Sequence, residues 1–181
     1  LPGYGQDGGC ENFNADVLAE ALRLRRRGLT TVVMEAHWPA YVKTPEALRV
    51  ATTALNKTVE QPTRVGLLVV LVEPSVDQRH DVPACLARRP ASQCGRPRAE
   101  VEAYRRGALD MVVQAGKAVG TQLLDPLPYL CTRDFCPVVL RGDVLYSDSN
   151  HLSVAGAMRL RPAFAQVLQK PAHTDGTTIN P

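Results

Sequence analysis

The sequence predicts an α/β domain with a parallel sheet and helices on both faces. Three observations carry this reading. Helical and strand patterns alternate along the chain, as they do when a helical crossover joins each parallel strand to the next. Arg64 to Val72 (RVGLLVVLV) is almost continuously apolar, the pattern of a strand covered on both sides. The chain has 181 residues, enough for one such domain with its own core.

Taken in order, residues 11–27 read as a helix with Phe13, Val17, Ala21 and Leu24 on one face and Gly28 after its end. Leu29 to Ala36 is β-rich and reads as a buried strand, followed by a loop through His37-Trp38-Pro39-Ala40-Tyr41. Thr44 suits an N-cap with Pro45 at the first helical position, and Leu48, Ala51, Leu55 and Val59 make the apolar stripe of a helix to about Glu60. Pro74 stops the strand of residues 64–72. Residues 75–97 read as a long polar insertion, and Arg98 to Val119 as a helix with Val101, Tyr104, Ala108, Val112, Ala115 and Val119 inward.

Gly120 follows, and Thr121 to Asp125 is a third short strand. Val138-Val139-Leu140 and Val144-Leu145-Tyr146, joined across Arg141-Gly142-Asp143, read as a hairpin. Ser153 to Gln169 is a last helix that Pro162 should kink or split.

Charge excludes one class of partner. Lys and Arg number 21 against 18 Asp and Glu, a net charge of +3, too weak a bias to argue for nucleic acid. The densest basic run, Arg23 to Arg27, closes the first helix and complements its dipole. No apolar run reaches the roughly 18 residues of a membrane-spanning helix, and no signal-peptide pattern is visible. Leu1-Pro2-Gly3-Tyr4-Gly5 reads as the middle of a loop, so further sequence is expected before it.

Of five cysteines, Cys85 and Cys94 lie close together, as do Cys131 and Cys136. Neither pair has metal-ligand spacing and no histidine cluster completes a zinc site, so no metal is expected. Two local disulfides, Cys85–Cys94 and Cys131–Cys136, imply an oxidising compartment; the alternative is reduced, buried thiols. Cys10 is left over, and an odd cysteine suggests a partner outside the chain.

The chemistry concentrates in Tyr146-Ser147-Asp148-Ser149-Asn150-His151-Leu152-Ser153. An aspartate three residues before a histidine, on a turn entering a helix, can hold the imidazole tautomer with its carboxylate. The other ring nitrogen is then free to take a proton from a nucleophile. An isolated Asp-x-x-His has little specificity, but here it follows a hairpin and opens a helix.

Asp125-Pro126-Leu127-Pro128-Tyr129-Leu130-Cys131, Cys136, and Leu145 through the Asp148–His151 turn to Ala157 together resemble the C-terminal half of an SGNH domain. They resemble in particular the periplasmic SGNH domains fused to acyltransferase-3 membrane proteins. The resemblance extends from about Cys10 to the last helix and implies a three-layer α/β/α flavodoxin-like fold.

By that resemblance, Asp148 and His151 are the acid and base of a triad. The family nucleophile is a serine in a Gly-Asp-Ser block after the first sheet strand. The sequence has no such block: Gly142-Asp143 is followed by Val144, and Ser75, Ser92, Ser147, Ser149 and Ser153 have no such setting. The N-terminal strands, the nucleophile strand among them, are therefore expected upstream of Leu1. In a full sheet of order 2-1-3-4-5 this chain would supply strands 3, 4 and 5, with residues 29–36 at an unpaired edge. Residues 1–170 would form a partial SGNH domain and residues 171–181 a flexible polar tail.

Trp38 and His37 stand where an Arg-Trp pair is expected, and either can contact substrate. The implied partners are a glycan acceptor, an acyl donor and an N-terminal acyltransferase-3 membrane domain in the same polypeptide. The implied activity is O-acetylation of bacterial cell-surface polysaccharide at the periplasmic face of the inner membrane, with no cofactor. The alternatives are a secreted SGNH carbohydrate esterase and a non-catalytic glycan-binding domain. The chain alone is expected to be inactive on a p-nitrophenyl ester.

Overall fold

The computed structural model describes residues 9–118 and 120–169. Helix α1 (Gly9–Arg25) precedes strand β1 (Thr31–Met34), and a 3-10 turn (Trp38–Tyr41) leads to α2 (Pro45–Arg64). Strand β2 (Leu68–Val72) follows, then α3 (Val82–Leu86), β3 (Arg96–Pro97), α4 (Arg98–Ala115) and β4 (Thr121–Leu124). The chain continues through α5 (Leu127–Leu130), β5 (Phe135–Cys136), β6 (Val139–Leu140) and β7 (Asp143–Val144) to α6 (Val154–Arg159) and α7 (Arg161–Gln169).

The main sheet is parallel, in the order β1-β2-β4. Every β2 side chain is buried, and alternate residues face opposite layers. Val69 and Leu71 pack with Ala51, Leu55 and Val59 of α2 and Ala108, Met111 and Val112 of α4. Leu68, Val70 and Val72 pack with Leu124 and with Ala163 and Val167 of α7. This is the α/β/α layering expected, and each buried Val, Leu or Met among these contributes about 1.5–3 kcal/mol of transfer free energy.

Local signals account for the boundaries. The Thr44 hydroxyl accepts the Ala47 N–H at 3.1 Å with Pro45 at the helix start. Helix α2 runs past Glu60 to Arg64 with Pro62 in its last turn; Gly66, at φ +78°, ends the helical path. That delays β2 to Leu68. The hairpin forms with Val139 opposite Val144, across Arg141 and Gly142 at φ 55° and 90°. Two positive values in succession match the right-handed twist of the paired strands. The last helix is split at Leu160, with Pro162 in the first turn of α7.

The apolar stripe of the first helix is largely uncovered: Phe13 is 66 % exposed and Val17 51 %, because α1 borders a groove against β1, which is a sheet edge. One inward position is corrected. Tyr104 is not inward but 45 % exposed. Arg105 takes the inward position instead, donating to Glu73 at 2.6 Å and to Asp125 at 3.0 Å. Residues 75–97, the polar insertion, carry short elements of their own: Asp81 caps α3 through the Ala84 N–H at 2.8 Å, and β3 pairs with β5. The Cys10 side chain, Val119 and the tail of residues 171–181 lie outside the described residues.

Both local disulfides are present, Cys85–Cys94 and Cys131–Cys136. They border a second core of Val76, Val82, Val101, Leu127, Leu130, Val138, Leu145 and Tyr146. This core lies beyond the carboxyl ends of the strands and supports the loops described next. No described helix is long and apolar enough to cross a membrane.

Candidate active site

The turn after the hairpin is closed by backbone bonds on both sides. Tyr146 bridges Leu152, and the Ser147 N–H donates to the His151 carbonyl at 2.9 Å. Inside it, Asp148 Oδ1 accepts the N–H groups of Asn150 at 2.8 Å and His151 at 2.7 Å. The other oxygen, Oδ2, lies 2.6 Å from His151 Nδ1. These bonds hold the Asp148 carboxyl at about 2: the His151 N–H is the largest cause, then that of Asn150, then the imidazole. A carboxylate so placed takes the proton of Nδ1 as a hydrogen bond and leaves Nε2 as an acceptor. The His151 side chain is 73 % exposed.

Glycine fixes where this turn meets the helix. The Ser153 hydroxyl accepts the Gly156 N–H at 3.1 Å and donates to the Val144 carbonyl at 2.6 Å. Gly156 lies so close to Leu145 that a Cβ there would stand 2.1 Å from its carbonyl oxygen. The turn is also tied to the loop leaving β2, because Gln78 N–H donates to the Ser149 carbonyl at 2.7 Å.

His151 opens onto a cleft of about 480 Å³. Asn150, His37, Asp77 and Ser75 line it with the apolar side chains of Val72, Val76, Leu152, Leu160 and Phe164. The loops come from the carboxyl ends of β1 and β2, where open α/β sheets place their ligands. His37 and His151 thus share one cleft. Trp38, expected at the acceptor pocket, is buried at 8 % exposure, with its indole N–H donated to the Val72 carbonyl at 2.8 Å. Its place in the core follows from that bond, which pins the loop carrying His37 to the end of β2.

Among the described residues no serine, threonine or cysteine side chain bonds to His151 Nε2. Ser147 and Ser153 are spent on backbone groups, and Ser149 donates to Asn150. Ser75 Oγ is buried without a partner. No group of acidic, histidine or cysteine residues among those described could hold a metal ion.

The pairing of His37 with Asp77, at 3.1 Å, escaped the sequence reading. Its signal was available: Asp77 follows the strongest strand, in a loop that leaves a carboxyl end. It was obscured because residues 75–97 read as a polar insertion.

A fold with a three-stranded parallel sheet, a His–Asp dyad at its carboxyl rim and a disulfide-bordered core defines an SGNH-like α/β domain. The family model described as the SGNH domain fused to AT3 domains matches residues 1–166. The chain belongs to this family. No curated protein and no solved structure matches it.

Proposed function

We propose that this chain carries the base and its orienting acid in an SGNH-type serine acyltransferase domain that O-acetylates a bacterial cell-surface polysaccharide. The observation that carries the reading is the 2.6 Å contact of Asp148 with His151 Nδ1, with Nε2 left open at a cleft. The nucleophilic serine comes from a segment of the same polypeptide ahead of Leu1. Its strand adds to the outer edge of β1, where Val33 is exposed and the α1 groove lies alongside.

Chemically, His151 Nε2 takes the serine proton as the serine oxygen bonds to the donor's acyl carbon. The donor's leaving group departs with that proton, and a serine ester remains. A sugar hydroxyl then gives its proton to Nε2 as its oxygen bonds to the acyl carbon. The bond from serine oxygen to carbon breaks, and the proton passes to the serine. Asp148 stabilises the imidazolium at each stage.

The partners are a glycan acceptor, an acyl donor and an N-terminal AT3 membrane domain, since the family is one of domains fused to AT3 domains. Two disulfides support an oxidising site, the periplasmic face of the inner membrane. The test is turnover of p-nitrophenyl acetate by the full-length polypeptide. Release of nitrophenolate that is lost on His151→Ala and absent from residues 1–181 alone supports the reading. Release unaffected by His151→Ala overturns it.

A further inference from the structure

A second imidazole faces the cleft with its own carboxylate. His37 Nε2 lies 3.1 Å from Asp77 Oδ2, and His37 is about half exposed. Asp77 is fixed from several sides. The Tyr104 hydroxyl donates to the same oxygen at 3.3 Å. Arg96 donates to the Asp77 carbonyl at 2.5 Å and stacks 5.5 Å above the Tyr104 ring. The next residue, Gln78, is tied to Ser149 beside the catalytic turn.

None of these groups is needed to orient His151, whose carboxylate is Asp148. The contacts of Tyr104 and Arg96 fix Asp77, and through it the His37 ring, in one orientation. With Nε2–H donated to Asp77, Nδ1 of His37 is a hydrogen-bond acceptor, and no described residue occupies it. His37 and His151 both line the cleft, each paired with its own aspartate, in company with apolar side chains.

One acceptor suffices to take a proton. A second has a use when the incoming molecule carries several hydroxyls and only one must reach the acyl carbon, because fixing a neighbouring hydroxyl sets which one arrives.

We propose that His37, oriented by Asp77, is the acceptor subsite of this cleft, its Nδ1 accepting a hydrogen bond from a sugar hydroxyl adjacent to the one acylated. This rests on the acyl-transfer reading above. Trp38 serves the subsite indirectly by pinning the loop to the Val72 carbonyl.

The experiment uses the full-length polypeptide with p-nitrophenyl acetate as donor and a panel of methyl hexosides as acceptors. Acetylated glycoside and free acetate are quantified together. Loss of one neutral hydrogen bond predicts that His37→Ala lowers the ratio of glycoside to acetate about tenfold and raises the acceptor KM. Asp77→Asn lowers the ratio in the same direction. His37→Asn, which keeps an acceptor near the Nδ1 position, recovers most of it. An unchanged ratio in His37→Ala overturns the proposal, as does a wild type that acetylates no glycoside. Loss of both products on His151→Ala tests the acyl-transfer reading separately, so failure of one is distinguishable from failure of the other.

Discussion

Gln78 donates its backbone N–H to the carbonyl of Ser149 at 2.7 Å, and this bond joins the two sides of the candidate site. The loop that leaves the central strand carries Asp77 on one side of the bond. The turn holding Asp148 and His151 lies on the other. The weaker contact of Val82 N–H with the Asp148 carbonyl, at 3.4 Å, runs in parallel. The two loops that frame this side of the cleft are thus hydrogen-bonded to each other.

Gly156→Ala should disrupt this frame. The new methyl would meet the Leu145 carbonyl oxygen at 2.1 Å and its carbon at 3.0 Å, and backbone cannot rotate away as a side chain can. Overpacking of this kind typically costs about 1–3 kcal/mol. Thermal unfolding of the variant should show that loss, whereas a melting curve matching the wild type would contradict the packing described.

Arg105→Ala should destabilise by about 2–3 kcal/mol, below the range for fully buried pairs because Asp125 is partly exposed. The guanidinium is buried and neutralises Glu73 and Asp125 together. Burial, followed by the Asp125 charge, already holds the Glu73 carboxyl above the ordinary range, and Arg105 offsets part of this. Without Arg105 the folded-state value rises further above the unfolded one. The penalty is then full above the folded value and fades as pH falls and Glu73 takes up a proton. Urea titrations should show a smaller difference from wild type at pH about 5 than at pH about 8; equal differences would contradict it.

Reduction should be costly at both cysteine pairs. The Cys85–Cys94 link closes a separation of 9 residues and Cys131–Cys136 one of 5. The chain-entropy relation gives about 2–3 kcal/mol for each. Peptide mapping without reductant should recover these two links, and paired Cys→Ser variants should lower the melting temperature. Recovery of four free thiols would contradict the assignment.

How far the sequence exposed all this depended on distance along the chain. Asp148 and His151 are three residues apart, so one turn brings them together and the motif is visible as text. His37 and Asp77 come from loops after two different strands, 40 positions apart, and only the parallel pairing of β1 with β2 makes them neighbours. Residues 68–72 read correctly because burial on both faces removes every polar residue. In helix α4, Val101, Ala108, Val112 and Ala115 read correctly as inward and Tyr104 did not: a buried Arg105 looks like a solvent residue until its two carboxylates are found. The exposed stripe on α1 was legible as amphipathic, but a pattern does not say whether anything covers it.

Asp148 fixes a pH expectation. Its carboxyl is held at about 2 against an ordinary 3.8. A lowered folded value means the associated stability is complete above pH about 4 and is lost as pH falls toward 2. The carboxylate is thus ionised throughout the working range, and the acid limb of the pH–rate profile for p-nitrophenyl acetate must report another group. An acid limb that disappears in Asp148→Asn would contradict this.

The most direct measurement is the site of fluorophosphonate labelling on the full-length polypeptide, mapped by peptide mass spectrometry. An adduct is expected on one serine ahead of Leu1, with labelling reduced about a thousandfold or more by His151→Ala, as for a nucleophile deprived of its base. An adduct on Ser75 or on any other serine of residues 1–181, or labelling indifferent to His151, would contradict it.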